Sequence, residues 1–241
     1  AVIITIVSVA SAEEVQQQQP VLPEEPPIVV AEETPTPIPF PILTSDTLLD
    51  FKLNGLEGLK GRLAFTATIA GYDRILVLDF ESQIITPIID GPGNNSYPSW
   101  NHNGTLLSFT SDRDGNREIY IADWDGTNQR RVTKSPFNED HASWATDGKR
   151  LVFDTELSSS VAVVSSIDLD GTNQIQIGEK SGRNTVPRWS PDGRSIAFST
   201  NRFWPGWDVC LWDLERQAES CPLSGRQSYC RAEWSHSGNF L

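Results

Sequence analysis

The chain has 241 residues, 38% of them apolar and 21% charged, with a formal net charge of −13, enough for one large domain or two ordinary ones. Eight acidic residues and no Lys or Arg precede Lys52, so the remainder sets 19 basic side chains against 24 acidic ones and is near balance. An acidic tail on a body with no basic stripe excludes the class of proteins that grip nucleic acid through Lys and Arg on phosphates.

Ala1 to Val9 is apolar and runs into Ala10-Ser11-Ala12 and then Glu13-Glu14. An apolar run followed by small-x-small is the back half of a secretory signal, with the basic region upstream of it. Residues 1–12 therefore read as a signal-peptide remnant, cleaved after Ala12, or as the end of a membrane anchor. Either reading places the body outside the cytoplasm, periplasmic or secreted, with membrane contact only through such an anchor. No Met is present, and the chain stops at Phe240-Leu241 inside a repeat, so a fragment of a longer product is expected.

Residues 13–51 form a Glu- and Pro-rich spacer. Eight prolines between Pro20 and Pro41 each fix φ and remove a backbone donor, which rules out a helix or a central strand. An extended, partly polyproline-II segment without a core is the expectation.

Residues 52–241 carry an internal repeat. Trp100, Trp144, Trp189 and Trp234 are separated by 44, 45 and 45 residues, and Gly104, Gly148, Gly193 and Gly238 keep the same intervals. Phe65, Phe109, Phe153 and Phe198 follow at 44, 44 and 45. Each unit reads as four short strands. In the second unit these are Tyr97 to Trp100, Thr105 to Ser111, Arg117 to Asp123 and Gln129 to Thr133, with turns at Asn103-Gly104, Asp112 to Asn116 and Asp125-Gly126. No helical period appears in the body. Four antiparallel strands at a period near 45 predict an all-β propeller, because a lone blade must bury its faces against its neighbours. Four blades are expected at 52–90, 97–133, 141–179 and 186–224, with a truncated fifth from Arg231 and hence an incomplete ring. The four Trp are expected between blades, at the ends of the innermost strands. The first blade is degenerate: Leu56 stands where the Trp should be.

The run Pro187-Arg188-Trp189-Ser190-Pro191-Asp192-Gly193-Arg194-Ser195-Ile196-Ala197-Phe198 resembles the Trp-Ser-Pro-Asp-Gly repeat of TolB-like propellers, which are WD-repeat-like. Phe109-Thr110-Ser111-Asp112-Arg113-Asp114-Gly115-Asn116 resembles it further. The resemblance covers about Gly61 to Leu241. It implies a periplasmic, non-enzymatic scaffold that holds a protein partner; a glycan is the other ligand class, suggested by the Phe203-Trp204-Pro205-Gly206-Trp207 insertion. The small α/β domain that precedes the propeller in TolB has no counterpart here. Similar repeats also form the gating propeller of prolyl-oligopeptidase-type serine peptidases, whose catalytic domain would lie beyond Leu241. That is the alternative reading.

The chemistry of the body is sparse. No Gly-x-Ser-x-Gly elbow and no phosphate loop occur, and His102, His141 and His236 lack metal-ligand spacing. No catalytic residue, cofactor or metal is expected. Asp112-x-Asp114-Gly115-Asn116-x-Glu118 has the start of a calcium loop but only Asp123 at the twelfth position, so a hairpin turn is expected. In an oxidising compartment Cys210 and Cys221 would face each other across a turn at Glu215-Arg216, with Cys221–Cys230 as the rival disulfide. The candidate partner-binding residues lie on loops leading into blades and on the aromatic insertion after the second strand of blade four. They are His141, Arg183, Asn184, Arg226 and Tyr229, with Trp204 and Trp207 from the insertion. That insertion reads equally as a sticky patch or as local core.

Overall fold

The structure is a computed structural model and describes residues 58–203, 206–224, 228–229 and 231–235. All of these fall in one compact unit, Pro37–Leu241. The signal-like segment, the spacer, Trp204, Arg226, Cys230 and His236 lie outside the described residues.

Among the described residues there are fifteen strands and no helix. The first blade holds β1 (Arg62–Ile69), β2 (Tyr72–Asp79) and β3 (Ile84–Ile89). The second holds β4 (Asn95–Trp100), β5 (Leu106–Ser111), β6 (Glu118–Asp123) and β7 (Arg130–Arg131). The third holds β8 (Asn138–Trp144), β9 (Arg150–Ser158), β10 (Val161–Asp168) and β11 (Ile175–Ile177). The fourth holds β12 (Asn184–Trp189), β13 (Ser195–Thr200), β14 (Asp208–Asp213) and β15 (Ala218–Leu223). Every sheet is an antiparallel meander in chain order.

The first blade differs from its expected four strands. Phe65 lies in β1, while Phe109, Phe153 and Phe198 lie in β5, β9 and β13, so β1 corresponds to the second strand of the other blades. The innermost position of blade one falls at Leu56, outside the described residues.

The hairpin after each innermost strand is a tight four-residue turn, over 101–104 in blade two, that takes in Asn103-Gly104. Gly104 donates to Asn101 O at 3.0 Å, Gly148 to Ala145 O at 2.9 Å and Gly193 to Ser190 O at 2.9 Å. Each of these glycines has φ near +70°: 68, 67 and 72. A side chain there would be strained, which is why the repeat keeps glycine.

The core lies between blades. One cluster joins Ile75 and Ile89 of blade one to Leu107 and Phe109 of blade two. A second joins Ile119, Ile121 and Val132 of blade two to Trp144, Leu151 and Phe153 of blade three. A third joins Val152, Val164 and Ile177 of blade three to Ile196 and Phe198 of blade four. The centres of these seams are filled by Phe109, Phe153 and Phe198, at most 1% exposed, more deeply than by the Trp. Trp100, Trp144 and Trp189 sit at the ends of innermost strands, as expected, and Trp234 follows at the same interval beyond β15. Trp144 Nε1 donates to Ser99 O of the preceding blade at 2.9 Å, and Trp234 Nε1 to Arg188 O at 3.2 Å.

One repeated feature has no signature in the sequence. Tyr97, His141, Val186 and Arg231, at intervals of 44, 45 and 45, all take positive φ between 53° and 58°. In β4, β8 and β12 the pairing register shifts at these residues, so they are bulges in the innermost strands. At three of the four positions the N–H crosses the seam to a second strand; at His141 it does not, and Thr110 Oγ1, the corresponding acceptor in blade two, is buried without a partner. Tyr97 donates to Thr66 Oγ1 at 3.2 Å, Val186 to Asp154 Oδ1 at 2.9 Å and Arg231 to Ser199 Oγ at 2.9 Å.

Candidate functional site at the upper end of the channel

The innermost strands β4, β8 and β12 and the residues 233–235 line a groove of about 510 Å³ that runs from Tyr97 and His141 to His102, Thr146 and Pro191 in the hairpins, the ring's channel as far as the described blades enclose it. Asn95 pairs with Ser111, Asn138 with Glu156 and Asn184 with Thr200. The loops leading into the blades and the turns between second and third strands therefore share one end of the channel, here called the upper end. The hairpins that carry Gly104, Gly148 and Gly193 occupy the other end.

His141 is held at this rim by its bulge. Its Nδ1 lies 2.9 Å from Asp154 Oδ1, and its ring centroid lies 4.3 Å from that of Tyr97. Asp154 is 4% exposed. A buried carboxylate at Nδ1 fixes the tautomer with the proton on that nitrogen and leaves Nε2 for whatever enters the channel. The same Asp154 oxygen accepts Val186 N–H, so one carboxylate fixes both the histidine and the bulge of the next blade.

Arg183 closes a chain of charges around the rim. Its Nη1 lies 2.9 Å from Glu156 Oε1 and 3.1 Å from Ser159 O. Glu156 Oε2 accepts from Arg117 Nη2 at 3.1 Å, and Arg117 Nε reaches Asp140 Oδ2 at 2.9 Å. The Arg183 hydrogen bond holds the Glu156 carboxyl below the usual carboxylate range, with the Arg117 charge adding to it. Burial pushes the Asp140 carboxyl up in spite of Arg117. These partly exposed pairs contribute little stability but fix the position of polar groups.

The remaining expected residues divide. Asn184 is 1% exposed, and its amide nitrogen lies 3.1 Å from each of Ala162 O, Glu179 O and Ser181 O. It knits its loop to the blade and has no surface to offer a partner. Trp207 is half-buried. Its N–H donates to Ser228 Oγ at 3.1 Å and its carbonyl accepts Tyr229 N–H at 2.6 Å, so this part of the insertion lies along the start of the fifth unit. Phe203 remains 45% exposed beside the Arg202 guanidinium. Arg226 and Trp204 lie outside the described residues. The structure joins Cys210 and Cys221 by a disulfide between β14 and β15. Among the described residues the close group Cys210, Glu219 and Cys221 has both sulfurs in that bond, which removes them as metal ligands.

The calcium-like run is a turn. Asp112 accepts from Asn94 N at 2.6 Å and from Asn94 Nδ2 at 2.9 Å. Asp114 accepts from the Tyr120 hydroxyl, and Asn116 Nδ2 donates to Phe137 O. Glu118 accepts from Thr133 Oγ1 at 2.7 Å. Each would-be ligand is already committed to the fold.

Sequence reasoning missed Tyr97, Arg117, Asp154 and Glu156 at this rim. Asp154 had a readable signal. Phe109 and Phe198 are followed by Thr110 and Ser199, whereas Phe153 is followed by a carboxylate. A charge in a slot otherwise filled by a hydroxyl marks a special position.

Residues 60–167 match the family model of the TolB beta propeller domain. No curated protein matches the chain in sequence. Among solved structures, TolB from Acinetobacter baumannii is similar with a TM-score of 0.65 and 19% identity, over 74% of this chain and 45% of that one. A putative TolB from Agrobacterium tumefaciens gives 0.57 and 19%, over 66% of this chain and 60% of that one. One of two prolyl endopeptidases gives 0.52 and 13%, over 69% of this chain and 28% of that one. The chain spans less than two-thirds of the length of each, and identities this low speak to fold alone.

Proposed function

We propose that this chain, a TolB-like β-propeller in fold, is an extracytoplasmic binding scaffold that takes a protein partner at the upper end of its channel. The observation that carries the reading is the rim itself. Tyr97, His141 and Arg183 come from three successive blades, and each is held by a neighbour: Tyr97 by the backbone bond of its bulge to Thr66 and by its ring against His141, His141 by the Asp154 carboxylate and Arg183 by the Glu156 carboxylate. Recognition favours such preorganised groups on a rigid frame, because little side-chain freedom is lost on binding. The likeness to a prolyl endopeptidase rests on the shared propeller and carries no activity to this chain.

The test is capture of envelope proteins by the purified chain, with bound species quantified for wild type, His141→Ala with Arg183→Ala, and Ile175→Ser on the outermost strand of blade three. A partner lost in the double variant and kept in Ile175→Ser supports the site. Equal capture by all three overturns it. A glycan array run in parallel separates the protein reading from the glycan one. The extracytoplasmic part has its own readout. The chain isolated without reductant from its native compartment should show one free thiol from its three cysteines. Three free thiols would sink that location.

A further inference from the structure

Two buried carboxylates stand at the seam between blades two and three, where Glu139 N–H donates to the carbonyl of Arg117, the residue before Glu118, at 2.8 Å, and the rim described above does not use either. Glu118 opens β6 and is 0% exposed; Glu139 is the second residue of β8 and is 1% exposed. Glu118 is saturated with donors. Oε1 accepts from Arg131 Nη2 at 2.6 Å, Ser135 N at 2.9 Å and Asn116 Nδ2 at 2.9 Å, and Oε2 accepts from Thr133 Oγ1 at 2.7 Å. Glu139 is poorly supplied. Its Oε1 lies 3.4 Å from Thr155 Oγ1, and its Oε2 is buried without a hydrogen-bond partner.

The repeat shows what normally stands there. Asn95 and Asn184 occupy the slot of Glu139 in blades two and four, both buried, and both use the amide as a donor to carbonyls of the leading loop, Gly91 O for Asn95 and Glu179 O and Ser181 O for Asn184. An ionised carboxylate has no proton to donate. A glutamate in that slot, facing Glu118, meets the requirement only when it is protonated.

We propose that Glu118 and Glu139 hold one proton between them, and that its loss releases the loop leading into blade three, residues 134–139, from blade two. Other charged groups pack around the pair: Arg117 just before β6, Arg131 on β7, Glu156 on β9 and Asp140 on β8 itself. Arg131 reaches Glu118, while Arg117 is committed to Asp140 and Glu156, so among the described residues no ion pair neutralises Glu139. Burial first, and the Glu118 charge with it, push the Glu139 carboxyl up to about 7. Burial opposes ionisation of Glu118 too, but the Thr133, Ser135 and Asn116 hydrogen bonds and the Arg131 charge hold it below the ordinary range. The proton therefore belongs on Glu139. Because the closed loop holds that proton more tightly than an opened one, the locked form is fully favoured below the ordinary carboxylate range. Its advantage falls as pH rises toward 7 and levels off above.

Hydrogen exchange of the amides at 134–141, corrected for intrinsic rate, tests this in the full chain. Opening should rise by up to about tenfold per pH unit between the ordinary glutamate range and neutrality, then flatten. Glu139→Gln, which restores the amide found in the sister blades, should hold the loop closed with no such rise. His141→Gln should keep the wild-type rise, separating this pair from the nearby imidazole. A flat wild-type profile, a rise that persists in Glu139→Gln, or a rise that vanishes in His141→Gln overturns the proposal. Carboxyl NMR of the wild type gives a second reading that needs no variant: a Glu139 midpoint in the ordinary range equally defeats it.

Discussion

At the scale of single residues, Asp154 concentrates the most consequence. Its Oδ1 accepts both His141 Nδ1–H and the N–H of Val186, a β-branched residue held at φ 53°. Such a conformation costs about 1–3 kcal/mol and persists only where surrounding contacts impose it. Asp154→Ala removes the acceptor that imposes it and leaves a partly buried N–H without its protein acceptor, which costs about 1 kcal/mol more. Urea denaturation should show that loss. Asp154→Ser should recover most of it, because Ser199 accepts the Arg231 N–H at the same place in the next repeat. Serine does not reach out to fix the imidazole, so Asp154→Ser should restore stability while leaving the rim weakened in partner capture. A serine variant as unstable as the alanine one would show that the carboxylate charge, and not the bulge bond, is what matters.

At the scale of elements, the glycines of the repeat do two different jobs. Gly148 has φ 67° and open space where a Cβ would go, so Gly148→Ala meets only the left-handed backbone cost, about 1–2 kcal/mol. Gly126, in the turn between β6 and β7, has φ 84° and passes so close to blade one that a Cβ would stand 1.9 Å from Ile88 O. Gly171 repeats the approach one blade on, at 2.8 Å from Val132 O. Gly126→Ala must therefore push the blade one–blade two seam apart. Thermal melts should order the variants wild type, Gly148→Ala, Gly126→Ala, and similar melting of the two alanine variants would contradict the close approach. This difference was half legible. The Asp-Gly-Thr-Asn repeat at 125–128 and 170–173 announces turns, and the period announces blades. The contact of a turn with a neighbouring blade is a long-range fact that no local pattern encodes. The inner bulges escaped for the same reason. Tyr, His, Val and Arg share no propensity for positive φ, and at Tyr97, Val186 and Arg231 the bulge N–H meets an acceptor some thirty residues earlier in the chain. Among the rim residues, the sequence could propose those on blade-leading loops but could not see that Asn184 turns inward.

At the scale of the whole molecule, the described blades form a row in which each core belongs to two neighbours and to no third. The cluster around Phe153 draws on blades two and three, and the cluster around Phe198 on blades three and four. An array of this kind is held by nearest-neighbour interfaces, so damage at one seam is felt first there. Phe153→Ala empties the centre of the second seam, where the ring is 0% exposed, and should destabilise that seam by about 3–5 kcal/mol. Hydrogen exchange should then rise in β5, β6, β8 and β9. The β13–β14 hairpin packs on the far side of blade three, and the Cys210–Cys221 bond ties β14 to β15, so its protection should change little. Exchange that rises equally in all four blades would mean that the sheets open as one cooperative body and that the seams are not separable units. The same experiment bears on the rim. Tyr97, His141 and Arg183 lie on successive blades, and opening the second seam should part Tyr97 from His141 while leaving Arg183 on Glu156 within blades three and four.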